Sequence, residues 1–381
     1  MNAPRHAIAA SHVFDGAVLH RDSAVVIEGT TIVALVPRAD VPARMALHRL
    51  PEEAWLTPGF IDTQVNGGGD VLFNNQPTPE GIAAIVAAHR KFGTTAMLPT
   101  LISDAPQKAV QAIAAVGAAA ASMPGVLGIH LEGPFLSPER PGVHAPQALR
   151  RPGADDFKMI AAPGHGVTLV TLAPEAVPAG FVADVVAAGV RVALGHSVAT
   201  YAQTRAAMAE GLTGFTHLFN AMRPLASREP GPIAAALEAP NAWFGMIVDG
   251  FHVDPAMLRL ALRGLAHPML VTDAMPPVGG QRDTFTLYGD EIAVRDGRCL
   301  RADGTLAGSV LDMASAVRNC VDWLGVPLTE ALRFAATNPA DFIGLGHVLG
   351  KLAPGYRADL VAFDPAKIEV ITTWVAGAAA G

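Results

Sequence analysis

Cysteine is nearly absent from this chain. Cys299 and Cys320 are the only two in 381 residues. Two thiols are not a disulfide framework, and they lack the short spacing of a zinc knuckle, so both read as inert thiols in a reducing compartment. Long apolar runs are missing too. The most apolar segment, AVQAIAAVGAAAASM at 109–123, is alanine-rich and shorter than the ~20 residues a membrane span needs. The opening MNAPRHAIAASHVFDG is too polar, and interrupted too early by Asp15, to read as a secretion signal. The expected location is therefore the cytoplasm. Positive charge is also short: 27 Lys and Arg against 34 Asp and Glu give −7, with no basic stripe. That argues against nucleic acid or an anionic membrane as partner. An anionic ligand would have to be met by a few local cations.

What is plentiful is small and apolar. Half of the residues are hydrophobic and only 16% are charged, the composition of a well-packed α/β protein long enough for one large domain and one small one. Residues 8–36 alternate apolar and polar positions, with turns at Asp15-Gly16 and Glu28-Gly29, and the tail from Gly350 repeats that texture. Chain ends usually lie close together, so residues 1–58 and 345–381 predict a small β-sandwich domain made from both ends. Between them, strand and helix alternate. Thr78-Pro79-Glu80 opens a helix stopped at Gly93, and strands follow at TTAMLPT, VLGIHLEG, RVALGH, TGFTH, WFGMIVDG and PMLVTDA. Helices are expected near 181–189, 199–210, 255–263, 310–323 and 328–337. Such βα repeats imply a parallel sheet. With no G-x-G-x-x-G after the first strand, they favour a TIM-like (β/α)₈ barrel over residues 59–344. Residues 282–305 break the pattern and read as a hairpin inserted over the barrel mouth.

Side chains at the C-terminal ends of barrel strands converge on one mouth. Those ends carry Gln64 and Asn66, Glu132, His196, His217, Asp249 with His252, and Asp273. A carboxylate closing an apolar strand needs a partner, so Glu132 is either in a salt bridge or a ligand. A lone buried histidine is ordinarily structural. Glu132, His196 and His217 together are three ligands for a divalent metal with positions left open for water, the pattern of a catalytic site. Such an ion would bring the pKa of bound water towards ~7 and polarise a carbonyl. Asp273 reads as general base and then general acid, or as a fourth ligand or a helix cap. His144, in the loop PERPGVHAP, is a candidate donor to a developing oxyanion, or simply a loop histidine. A rival site exists at Gly195-His196-Ser197-Val198-Ala199, close to the nucleophile elbow of a serine hydrolase. It has alanine where the last glycine belongs and leaves Glu132 and His217 without a role.

Several motifs together carry a resemblance: PGFIDTQVNGGGD, GTTAMLPTLIS, GIHLEGPFLSPERPGVH, ALGHS, THLFNAM, VDGFHVDP, LVTDAM and LAGSVLDM. The chain resembles the amino-sugar-phosphate deacetylases of the amidohydrolase superfamily almost from end to end. That resemblance implies hydrolysis of the acetamide of N-acetylglucosamine 6-phosphate, or of its galactosamine epimer, by metal-bound water with Asp273 as acid/base. It makes Glu132, His196 and His217 the metal ligands and sets His144 at the acetamide carbonyl. It also implies that the phosphate meets Asn220 and Ala221, with Arg228 and His252 reaching in from a neighbouring subunit of a homodimer. Val143, Leu306, Ala307 and Gly308 would line the substrate. Many amidohydrolases bind a second metal through a His-x-His pair on the first strand. Gln64-x-Asn66 replaces it with amides, which are weak ligands, so one metal per subunit is expected, zinc by default, with iron or cobalt able to use the same donors. A catalytically silent scaffold is the remaining alternative.

Overall fold

The computed structural model describes residues 5–162, 164 and 166–379. It contains two compact units. One is drawn from the chain up to Asp62, from His89–Ala96 and from Asp312 onwards; the other holds Thr63–Ala88 and Met97–Leu311. The boundary on the C-terminal side thus falls at Asp312, whereas the sequence reading put it near 345.

Both chain ends enter one eight-stranded sheet, as the alternating texture requires. Arg5–Phe14 runs antiparallel to Leu19–Glu28 and parallel to Trp55–Pro58, which pairs with Leu360–Asp364 from the far end of the chain. Alternate side chains of a strand leave on opposite faces. Ile8, Val25, Ile27, Leu56, Leu360 and Trp374 accordingly share one buried cluster, while Ala7, Ala9, Ala24 and Val26 pack on the other face. Each large apolar side chain buried this way contributes about 1.5–3 kcal/mol.

The middle of the chain forms the barrel. Eight strands follow one another in sequence order: Phe60–Val65, Thr94–Ile102, Gly128–Glu132, Val167–Leu172, Arg191–Leu194, Gly214–Phe215, Trp243–Met246 and His267–Leu270. Just beyond the last strand the ring is tied to the first, where Asp273 N–H donates to Gln64 O at 3.0 Å and Asn66 N–H to Ala274 O at 3.0 Å. The expected barrel is present, and it includes two elements the sequence reading passed over, the strand Val167–Leu172 and the helix Ala154–Ile160 before it. That helix is only seven residues long, too short for a clear 3.6-residue period. Elsewhere the punctuation works as its chemistry predicts. Thr200 caps Tyr201–Ala209 by accepting from Gln203 N, and Asp254 caps Pro255–Ala261 by accepting from Ala256 N. Among the described residues no helix is long and apolar enough to cross a membrane.

The expected hairpin at 282–305 is corrected. Thr284–Leu287, Asp290–Arg295, Arg298–Leu300 and Leu306–Ser309 form a four-stranded antiparallel sheet. Its apolar side, Leu287, Ile292, Cys299 and Ala307, packs on Leu72, Ile102, Val143 and Met275. A two-stranded hairpin is marginal alone, and a third and fourth strand with a buried face make it stable.

Candidate metal centre and active site

Glu132 is the last residue of its strand, while His196 and His217 stand two residues past Leu194 and Phe215, and Asp273 three past Leu270. At these last three the backbone turns into the left-handed region, with φ of +49°, +32° and +51°. Non-glycine residues adopt that region rarely and at a cost, and sites of chemistry are where such strain collects. The bends gather the side chains. Glu132 Oε1 lies 3.1 Å from His196 Nε2 and 3.0 Å from His217 Nε2, and the two nitrogens are 3.1 Å apart. All three residues are buried.

Three contacts at these lengths cannot all be hydrogen bonds. Each Nε2 carries at most one proton, and two protonated nitrogens would oppose one another at 3.1 Å. His196 Nδ1 lies 2.9 Å from the Arg140 carbonyl and must donate there, so a neutral His196 presents a lone pair at Nε2. A cation in the middle satisfies all three atoms at once. Tetrahedral ligands at about 2.1 Å from an ion sit roughly 3.4 Å apart, close to the spacing present. The donor set fits a divalent metal. Burial alone would push the Glu132 carboxyl up, but hydrogen bonds and charge from His196 and His217 outweigh it and hold the group well below the usual carboxylate range.

The two amides of the first strand face these carboxylates. Gln64 Nε2 donates to Glu132 Oε2 and to Asp273 Oδ1, both at 3.2 Å, and Asn66 Nδ2 donates to Asp273 Oδ1 at 2.6 Å. Gln64 therefore bridges two buried acids that would otherwise repel. Burial, with the Glu132 charge added, still pushes the Asp273 carboxyl up to about 6, against the opposing charges of His217 and His252 and the Asn66 bond. His144 is buried beside His196, ring centroids 4.5 Å apart and nearly edge to face. Burial first, and the His196 charge second, press its pKa down to about 3, so it is a neutral imidazole.

These groups open on a cavity of about 430 Å³, within the range of small-molecule sites. Of the residues expected to meet substrate, Val143, His144, Asn220, Ala221, His252, Leu306 and Gly308 line it. Ala307 does not. Successive residues of a strand point to opposite sides, and Ala307 packs into the apolar side of the inserted sheet instead. Gly308 is required where it stands: a Cβ there would lie 2.8 Å from the Asp273 carbonyl oxygen, and its φ is +66°. Arg228 is exposed and outside the cavity. His252 is the converse correction. It was expected to come from a neighbouring subunit, yet it lines the cavity of its own chain, its Nδ1 bonded to Asp249 Oδ2 at 2.6 Å. The reason is its place in the loop after Trp243–Met246, at the same barrel mouth.

Sequence reasoning missed Glu139, Arg140 and Thr305, which also line the cavity. Arg140 holds His196 through its backbone carbonyl, which leaves no trace in residue type. Ser197 is not part of the site. Its hydroxyl donates to Glu175 Oε2 at 2.8 Å and accepts from Ala199 N at 3.0 Å, which ties down a loop, and its neighbour His196 is turned towards Glu132. The serine-hydrolase arrangement is absent among the described residues. Both cysteines are free and buried, and burial pushes their thiols up to about 12, as inert thiols should be.

Comparison with known proteins gives a consistent set of likenesses. The model of the Amidohydrolase family matches residues 55–380. An N-acetylgalactosamine-6-phosphate deacetylase from Shewanella sp. (strain ANA-3) is 44% identical over 326 residues, 84% of this chain and 82% of that protein. An N-acetylglucosamine-6-phosphate deacetylase from Haemophilus influenzae is 36% identical over 364 residues, 94% of each. Among solved structures, the crystal structure of N-acetylglucosamine-6-phosphate deacetylase from Pasteurella multocida superposes with a TM-score of 0.95 at 34% identity, covering 99% of this chain and 100% of that one.

Proposed function

This chain belongs to the amidohydrolase family, and from that premise we propose that it hydrolyses the acetamide of N-acetyl-D-glucosamine 6-phosphate to D-glucosamine 6-phosphate and acetate. One observation carries the reading: a Glu132–His196–His217 triangle that only a cation satisfies, joined to Asp273 through the single amide of Gln64. A divalent cation at that triangle supplies Lewis acidity, which acidifies water and polarises the substrate carbonyl. Asp273, as carboxylate, accepts the proton of the attacking water and then, protonated, delivers it to the departing nitrogen. His144 donates a hydrogen bond to the oxygen that becomes negative as the carbonyl turns tetrahedral. Asn220, Ala221 and His252 stand where the sugar phosphate would be met from the chain's own side. Arg228 would complete that contact from the second subunit of a homodimer, since a cation exposed outside its own cavity is free to serve a neighbour's.

One ion per subunit follows from Gln64 and Asn66, whose amide NH₂ groups face the carboxylates as donors where a second metal would need lone pairs. Zinc suits the two-nitrogen, one-carboxylate set, and Fe²⁺ or Co²⁺ could use the same atoms. Two buried free thiols suit a cytoplasmic setting. A second reading, the galactosamine epimer, is favoured by the 44% identity to the Shewanella protein. Acetate release from both epimers, each with and without its phosphate, tests all of this. Release from the phosphorylated glucosamine substrate is expected. Preference for the other epimer would move the assignment, and no release from any of the four would end it.

A further inference from the structure

His144 can act as a donor only if its proton sits on the right nitrogen. Ser103, the residue after the strand Thr94–Ile102, determines which one. Its backbone N–H points at His144 Nδ1 at 3.2 Å, and its hydroxyl lies 2.7 Å from the same atom. A backbone amide has only a proton to offer. Nδ1 must therefore accept, the hydroxyl donates alongside it, and the proton of the neutral ring is left on Nε2. We propose that Ser103 is a positioning residue that fixes His144 as the Nε2–H tautomer for the substrate's carbonyl oxygen, an inference that rests on reading the site as an acetamide hydrolase. With the opposite tautomer His144 would turn a lone pair towards an oxygen gaining negative charge, and a stabilising contact would become a repulsive one.

The direction of that N–H is itself secured. Asn74 clamps the preceding residue from both ends of its side-chain amide: Nδ2 donates to Ile102 O at 3.0 Å and Oδ1 accepts from Ile102 N at 3.1 Å. The Tyr288 hydroxyl, from the inserted sheet, donates to the Ser103 carbonyl. The insertion thus does more than wall the cavity, because it also latches the strand end that sets the imidazole. A hydrogen-bond partner of this kind, one shell removed from the chemistry, is commonly worth ten- to a hundredfold in activity.

The test uses the full-length, metal-loaded protein with ¹⁵N-labelled histidine, the His144 signals being assigned by their loss in His144→Asn. The expected result is an unprotonated Nδ1 and a protonated Nε2. In Ser103→Ala, kcat should fall about tenfold with KM within about twofold and metal content unchanged, since only the shorter of two bonds is lost. Ser103→Thr, which keeps the hydroxyl, should recover most of that loss. A protonated Nδ1 in the wild type, or a Ser103→Ala variant with wild-type kcat and KM, would overturn the proposal. Should the wild type release no acetate from any amino-sugar phosphate, the functional reading falls, while the tautomer signal still decides the role of Ser103.

Discussion

Gln64 touches both acids of the site, so replacing it with methionine, similar in length but without an NH₂, is the sharpest perturbation available. Two buried bonds to ionised acceptors disappear, to Glu132 Oε2 and Asp273 Oδ1, each 3.2 Å long. Bonds to charged groups contribute about 1.5–3 kcal/mol, and this length places each near the lower end. At Asp273 the loss falls on the carboxylate form alone, so its pKa must rise. About 1.5 kcal/mol corresponds to roughly one pH unit. The acid limb of kcat/KM, which reports the base in the free enzyme, should therefore move up by roughly one unit, and activity should vanish earlier as pH falls. At Glu132 the same loss should weaken metal binding about tenfold, measured by competition with a chelator. An unmoved acid limb together with unchanged metal affinity would refute the bridging role and leave Gln64 as a space-filling residue.

Asp273→Asn should keep its metal and lose turnover by at least a hundredfold, roughly the contribution of a general acid–base, whereas His196→Ala should lose the metal as well. Metal analysis beside a rate assay distinguishes them, and near-normal turnover in Asp273→Asn would remove the acid/base assignment. Ser197→Ala should retain catalysis and lose only some stability, about 1 kcal/mol for the bond to Glu175. Abolished turnover in a folded Ser197→Ala protein would revive the serine mechanism. In the metal-free protein, burial and the Glu132 charge raise Asp273 from 3.8 to about 6. The folded chain then holds a proton that the unfolded chain has released, so stability is greatest below pH 4 for this group and is lost as pH climbs to 6. At about 1.4 kcal/mol per unit the loss is about 3 kcal/mol. Denaturant titrations across that range should show this slope flattened in Asp273→Asn.

The parts of this site that could be read from the chain are those whose chemistry resides in side-chain type at a strand end. Glu132, His196, His217 and Asp273 are costly to bury alone, and each closes an apolar run, so their convergence follows once the barrel is inferred. Direction and backbone contacts were not legible. Leu306, Ala307 and Gly308 are consecutive in sequence, but a strand turns the middle one away, and only the pairing of Leu306–Ser309 with Arg298–Leu300 fixes which way it faces. Ser103 and Arg140 act through a main-chain N–H and C=O, groups that nearly every residue carries, so no residue type could have marked them. Gln64 and Asn66 show the limit most clearly. Their composition says only that they are poor ligands, whereas the structure turns both NH₂ groups onto carboxylates, which replaces an expected absence of metal binding with a definite task. In this chain, then, the atoms that take part in the reaction are written in residue type, and the atoms that aim them are written largely in backbone geometry.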